Sequence, residues 1–369
     1  MKRILILYIS NVSGHRSAAN AIEKAIRMLS PTAPILSMNF FQYVAPVTEK
    51  IVNAMYMEVV KRAPIVWQVM YDNPRVVRST SRARKFVYAQ IRKKVDALIS
   101  SFSPDVVITT QAFPCEIVSR YKQETGNRFK VFGVLTDYVP HSFWVSEAVD
   151  YYIVPSDEVK DKLVSKGVNE DKVHAFGIPI DPDFCFSKDP DQIRASLGIQ
   201  NGSPLVLLMR GGLGLGPLKE RIKTLDKLKD DFQIMVICGS NKKLFNSIKK
   251  LRKKMNHRCY IFGYVDNVDE LMTISRILIT KSGGLTISEA MAKGLPMVIV
   301  DALPGQEYNN LRFLLRNRCC LRAKDGKEMQ RAVSRLLRDE GLWEKLHKNA
   351  LLTGRPNSAL ETAHLALEM

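Results

Sequence analysis

The chain has little of what would mark an exported, metal-bound or membrane-spanning protein. Its 369 residues include six cysteines (115, 185, 238, 259, 319 and 320), with no C-x-x-C pair and no Cys/His ligand spacing. That argues against a disulfide framework and a zinc module, and fits free, mostly buried thiols in a reducing compartment; no metal is expected. No apolar run reaches the roughly 18 residues a membrane span requires. The apolar start, 4–9, runs into Ser-Asn-Val-Ser-Gly-His with no small-residue cleavage site. It therefore reads as a first β-strand rather than a signal peptide, and the expected location is cytoplasmic. Repeats, low-complexity segments and the G-x-G-x-x-G dinucleotide fingerprint are also missing. Acid is scarce as well: 37 Asp and Glu stand against 55 Lys and Arg, for a net charge of +18.

What is present is a globular composition, 46% hydrophobic and 25% charged, in a chain long enough for two domains. The positive charge is concentrated. Residues 61–94 hold ten Lys and Arg against the single acid Asp72, and residues 242–258 hold eight with no acid. Such an excess favours an anionic surface, either phospholipid or nucleic acid. Between 47 and 77, aliphatic and Met residues, with Trp67 and Tyr71, interleave with cations and lead into Arg82, Arg84 and Lys85. That mixture suits a lipid surface better than the aromatic stacking platforms of nucleic-acid binders. An anionic membrane surface is the expected partner, and no nucleic acid.

Short aliphatic runs alternate with helical stretches, the pattern of α/β domains with parallel sheets. The first half predicts strands at 4–9, 106–109, 132–135 and 152–154. The second predicts them at 205–209, 234–237, 260–262, 277–280 and 297–300, with helices between. A turn-rich stretch, Gly177-Ile-Pro-Ile-Asp-Pro-Asp-Phe184, separates the two series. The expected organisation is two Rossmann-like domains, 1–184 and 185–369, facing across a cleft where the strands end.

Several strand ends carry chemistry. After 277–280 comes Lys281-Ser-Gly-Gly-Leu-Thr-Ile-Ser-Glu289. Glycines 283 and 284 open a helix whose N–H groups suit a phosphate, and Glu289 lies one turn on, suited to the hydroxyls of a ribose. The same residues fit a capping box, Thr286-x-x-Glu289, in which the acid serves only its own helix. Pro304-Gly-Gln-Glu-Tyr-Asn-Asn310 offers amide and acid groups, among them Gln306 and Glu307, that suit the hydroxyls of a sugar. Arg210-Gly-Gly-Leu-Gly-Leu-Gly-Pro217 is a second glycine loop between strand and helix. Gly263-Tyr-Val-Asp-Asn267 places backbone groups of Tyr264 and Val265 where they suit the edge of a uracil ring, or simply begin a helix. In the first half, Ser13-Gly14-His15 follows the first strand, and His15 is either a base poised near neutral pH or a helix cap. Asp137, after 132–135, is a base, a partner for a histidine, or an Asx-turn residue; His141, Phe143 and Trp144 follow it.

Taken in this order, these pieces resemble the lipid-directed branch of the family 28 glycosyltransferases, the diacylglycerol glucosyltransferases and monogalactosyldiacylglycerol synthases. The likeness covers nearly the whole chain. It rests on Ser13-Gly-His15, Ala63-Pro-Ile-Val-Trp67…Tyr71, Thr136-Asp-Tyr…His141…Trp144, Cys238-Gly-Ser-Asn-Lys-Lys243, Gly263-Tyr-Val-Asp-Asn267, Ser282-Gly-Gly-Leu-Thr286…Glu289 and Pro304-Gly-Gln-Glu307. The resemblance implies the two-domain GT-B fold and inverting transfer of glucose or galactose from a UDP-hexose to diacylglycerol. It also implies no cofactor and a peripheral position on the inner face of the cell membrane. His15 or Asp137 would deprotonate the acceptor hydroxyl. The UDP-sugar would meet Arg210, Gly211, Gly212, Gly239, Tyr264, Val265, Lys281, Ser282, Gly283, Gly284, Leu285, Thr286, Glu289, Gln306 and Glu307. Acceptor and membrane contacts would fall to Gly14, Trp67, Tyr71, His141, Trp144, Arg82, Arg84 and Lys85. The alternatives are a polyprenyl-linked acceptor, as in peptidoglycan synthesis, and a catalytically silent lipid-binding relative. The family usually carries a small polar residue where Arg210 stands, and the identity of the hexose stays open.

Overall fold

The computed structural model describes residues 1–10, 13–44, 81–212, 214, 216–302 and 305–369, with side chains 81–84 and 142 excepted. Trp67, Tyr71 and four of the ten cations of 61–94 (61, 62, 75 and 78) lie outside the described residues. Contacts divide the chain into two compact units, Met1–Pro182 with Leu303–Asn309 and Pro356–Met369, and Asp183–Ala302 with Asn310–Arg355. The division read from the sequence at 184/185 gave the C-terminal stretch to the second unit, whereas its packing gives it to the first.

The first unit holds one parallel sheet in the order β2-β1-β3-β4-β5-β6. Its strands are β1 (Ile4–Tyr8), β2 (Ile35–Asn39), β3 (Val106–Thr109), β4 (Lys130–Val134), β5 (Tyr151–Ile153) and β6 (Val173–His174). Helices α1 (Gly14–Leu29), α2 (Phe40–Val44), α3 (Ser81–Phe102), α4 (Ala112–Thr125) and α5 (Asp157–Ser165) connect them. Strands β1 and β3 are apolar almost throughout because helices cover both faces of a parallel sheet. Ile4, Ile6, Val106 and Ile108 face one core cluster and Leu5, Leu7 and Val107 the other. Each such side chain contributes about 1.5–3 kcal/mol on burial.

The second unit begins with α6 (Pro190–Ser196). Its sheet contains β7 (Leu205–Met209), β8 (Gln233–Ile237), β9 (Cys259–Phe262), β10 (Ile277–Thr280), β11 (Met297–Val300) and β12 (Cys320–Ala323), in the order β12-β11-β10-β7-β8-β9. Between and after the strands run α7 (Leu218–Leu225), α8 (Lys242–Arg252), α9 (Val268–Thr273), α10 (Gly284–Ala292), α11 (Gln306–Arg316), whose first four residues fall in the first unit, α12 (Gly326–Arg338) and α13 (Glu340–Thr353). The last helix, α14 (Ser358–Glu368), packs on α1 of the first unit through Ala359, Ala363 and Ala366.

Both sheets are doubly wound. The strand order reverses between β1 and β3 in one and between β7 and β10 in the other. At such a switch point the flanking loops diverge and leave a crevice beyond the strand ends, where ligands of open α/β sheets bind. Strands at 106–109, 205–209, 277–280 and 297–300 have the boundaries expected from the sequence. The edge strands β2, β6 and β12 were not anticipated, because edges mix polar with apolar residues.

Candidate functional site

At the first switch point the chain leaves β1 through Ser10, a non-glycine residue with φ of 65°. It turns into α1, where Ser13 is the N-cap and accepts from the Arg16 N–H. Gly14 is the exposed first residue of this helix, and His15 follows it, half-buried. His15 Nδ1 lies 2.8 Å from the Thr110 carbonyl oxygen, beyond the end of β3, and 3.0 Å from Thr136 Oγ1, beyond β4. Thr110 Oγ1 donates to the His15 carbonyl at 2.9 Å. A carbonyl only accepts, so Nδ1 carries the proton and Nε2 is the basic nitrogen of the neutral ring. Burial pushes the imidazole below its usual pKa, and the Thr110 hydrogen bond offsets part of that fall.

Asp137 is the half-buried neighbour of Thr136. The partners shown for Nδ1 are Thr110 and Thr136, so orientation of the ring rests on groups to which the sequence reading gave no role. The His141 ring lies 5.8 Å from Phe143 and 6.0 Å from Trp144. Trp144 itself, expected at the acceptor or membrane surface, is only 5% exposed and belongs to the core, its carbonyl accepting from Tyr152. On α3, Lys85 is exposed and Phe86 beside it is 67% exposed. The backbone of Arg82 and Arg84 lies in the same helix.

The second switch point is built from backbone and fixed charge. After β7 the glycine loop passes beside the loop that follows β8. Ser240 N donates to the Gly212 carbonyl at 2.9 Å. Gly239, at φ 57°, lies so close that an added Cβ would stand 2.3 Å from that same oxygen. Gly239 thus locks two loops together, and a Cβ added at Gly211 would meet open space. Arg210 Nη1 donates to Asp301 Oδ2 at 2.6 Å, and Arg221 Nη2 to Asp301 Oδ1 at 2.5 Å. The Arg210 and Arg221 side chains are 9% and 13% exposed. Two guanidiniums share one carboxylate, which leaves a net positive charge at the strand ends.

Helix α10 opens at Gly284, with Gly283 as N-cap and no side-chain cap bond. Thr286 stands inside the helix, so the capping-box alternative for Thr286 and Glu289 does not hold. The backbone N–H groups of Gly284, Leu285 and Thr286 form the helix's first turn, with its partial positive charge. Lys281 is half-buried, Ser282 is buried and Glu289 is half-buried one turn further along. The buried Asn310 donates from Nδ2 to the Ser282 carbonyl at 3.0 Å and fixes this loop. Gln306 and Glu307, expected to read the hexose, form the start of α11. Tyr264 is 71% exposed and Val265 half-buried in the loop after β9. Among the described residues no group of three or more His, Cys, Asp or Glu is placed to hold a metal ion. Among them, too, no helix is long and apolar enough to cross a membrane.

Known proteins match both halves. Residues 15–180 match the monogalactosyldiacylglycerol (MGDG) synthase family, and residues 191–352 match glycosyl transferases group 1. The processive diacylglycerol beta-glucosyltransferase of Bacillus subtilis (strain 168) is 31% identical over 352 residues, covering 94% of this chain and 90% of that protein. Among solved structures, Acinetobacter baumannii MurG superposes with a TM-score of 0.65 at 12% identity, covering all of both chains. The UDP-GlcNAc 2-epimerase of Neisseria meningitidis, bound to UDP-GlcNAc, gives 0.62 at 14% identity, again over all of both chains. With two doubly wound parallel sheets and relatives matched from end to end, the chain is a GT-B glycosyltransferase and belongs to family 28, in the branch of the diacylglycerol glucosyltransferases and monogalactosyldiacylglycerol synthases.

Proposed function

We propose that this enzyme moves a hexose from a UDP-sugar to the free hydroxyl of diacylglycerol at a membrane surface, with inversion at the anomeric carbon. The observation that carries the reading is the fixed tautomer of His15, which keeps Nε2 basic at the first switch point. In this mechanism the acceptor oxygen attacks the anomeric carbon opposite the diphosphate. The bond from that carbon to UDP breaks, and its electron pair stays on the β-phosphate oxygen. His15 Nε2 takes the hydroxyl proton, a contribution of about 10²–10⁴-fold in rate. Asp137 favours the resulting imidazolium through its negative charge.

The second unit has the donor role. The first turn of α10 and the glycine loop meet the diphosphate, where negative charge grows as UDP leaves. The net charge of the Arg210–Asp301–Arg221 group, with Lys281, adds to that stabilisation. Glu289 takes the ribose hydroxyls, backbone at Tyr264 and Val265 the uracil, and Gln306 and Glu307 the hexose. A UDP-sugar bound by the epimerase of the same fold supports the donor class. The activity named for the relatives supports diacylglycerol as acceptor and glucose as hexose. The exposed pair Lys85 and Phe86 on α3 supports a peripheral position on the inner membrane face.

The test is UDP release and lipid product from UDP-glucose and UDP-galactose in parallel, with and without vesicles of diacylglycerol and anionic phospholipid. Diacylglycerol-dependent release with one donor, a β-linked product and full activity in chelator are expected. UDP binding without diacylglycerol-dependent release from either donor overturns the reading, and a polyprenyl-linked acceptor would then be tried.

A further inference from the structure

One face of the second sheet is covered by α12, α7 and α8, whose apolar residues meet in a single core. Ile222 of α7, Ile248 of α8 and Val333 of α12 pack there with Val206, Leu208 and Val236 of β7 and β8. With their inner sides committed to that core, the outer sides face solvent. All eight Lys and Arg between 242 and 258 are exposed, five of them on α8, and no acid lies among them. Neighbouring α12 adds exposed Lys327, Arg331 and Arg335 at four-residue spacing, which line a shallow groove of about 630 Å³. The three helices contain two carboxylates, Glu220 and Glu328, and Glu328 accepts from the Lys324 N–H.

Such a layer works against its own stability. Lys249, Lys250 and Arg252 share the last turn of α8, and Lys253 and Lys254 follow at once, so five like charges are crowded at one end of the helix and repel one another. An anionic partner would relieve that repulsion. No aromatic ring stands out from this layer: Phe232 is buried, and Phe245 packs on the core. It lacks the stacking groups that single-stranded nucleic acids use, and also apolar side chains to insert into a bilayer. The remaining attraction is that between a broad cationic face and anionic headgroups.

We propose that the α12–α7–α8 layer is a second docking face for an anionic phospholipid bilayer, distinct from the cation-rich segment of the first unit and held by charge alone. The proposal rests on the reading that the acceptor is a membrane lipid. Its test compares the full chain with a variant carrying Lys249→Gln, Lys250→Gln, Lys253→Gln and Lys254→Gln, all exposed positions with no assigned part in donor binding. Flotation with phosphatidylcholine vesicles containing phosphatidylglycerol should show partition weakened by about 5-fold per charge removed, and raised salt should erase the difference. UDP affinity and thermal melting should match the parent. Unchanged partition overturns the proposal. So does loss of oligonucleotide binding with vesicle binding intact, which would make the layer a nucleic-acid face. Transfer to diacylglycerol in neutral detergent separates the two readings. Equal rates in parent and variant fit a purely docking face. If neither makes glycolipid while the partition result holds, the functional reading fails and the docking face stands.

Discussion

The two switch points share a topology and differ in material. In the first unit the proposed base is a side chain, and three strand ends hold it: His15 follows β1, and Thr110 and Thr136 follow β3 and β4. In the second unit the groups proposed for the donor are backbone N–H groups, interlocked glycine loops and a shared-carboxylate cation pair. Proton transfer needs one group of tuned basicity, whereas a diphosphate needs many modest positive partners. The same scaffold meets the two demands with different chemistry at its loops.

Substitutions can break that contrast. His15→Ala should lower turnover about 10²–10⁴-fold while UDP affinity stays at the parent value, measured by calorimetry. A parallel loss of UDP binding would show that the division of labour is wrong. Asp301→Ala removes the carboxylate that two mostly buried guanidiniums share and should cost about 3 kcal/mol or more of stability, read as a lower denaturant midpoint with weaker UDP binding. Gly239→Ala forces a side chain onto a left-handed residue and into the Gly212 carbonyl, and should cost about 1–3 kcal/mol with raised KM for the donor. Thr136→Val should reduce kcat by about ten-fold or less and leave donor KM unchanged.

The pH profile sharpens the same point. Burial holds the folded pKa of His15 below its ordinary 6.5, and the proposed base is the neutral ring. Activity should therefore persist as pH falls past 6.5 and disappear only through the lower folded value. Stability follows the sign of proton uptake. The unfolded chain protonates first, so this group's contribution is whole above 6.5, declines as pH falls, and levels off below the folded pKa. An acid limb at or above 6.5 would contradict the buried-base assignment.

Central strands and the glycine-opened helix were legible because each is a local pattern: an unbroken apolar run, or glycines between a strand and a helix. The edge strands β2, β6 and β12 were not, since an edge is only partly covered and its residues are mixed. The roles of Thr110, Asp301 and Asn310 arise from pairings across 95, 91 and 28 positions of sequence. No local spacing announces them. Trp144 failed in the opposite direction. It stands in a motif beside His141, yet its size and apolarity took it into the core.

The path of the chain gives α14 a reach beyond its own length. Having built the second unit, the chain comes back to lay alanines against α1, the helix that carries His15 at its first turn. A cut placed between 355 and 356 would sever α14 from the second unit, and the first unit expressed as 1–182 would lack part of its wall. Supplying residues 356–369 in trans should restore it, so the natural seam for fragment complementation lies near the end of the chain and not between its halves.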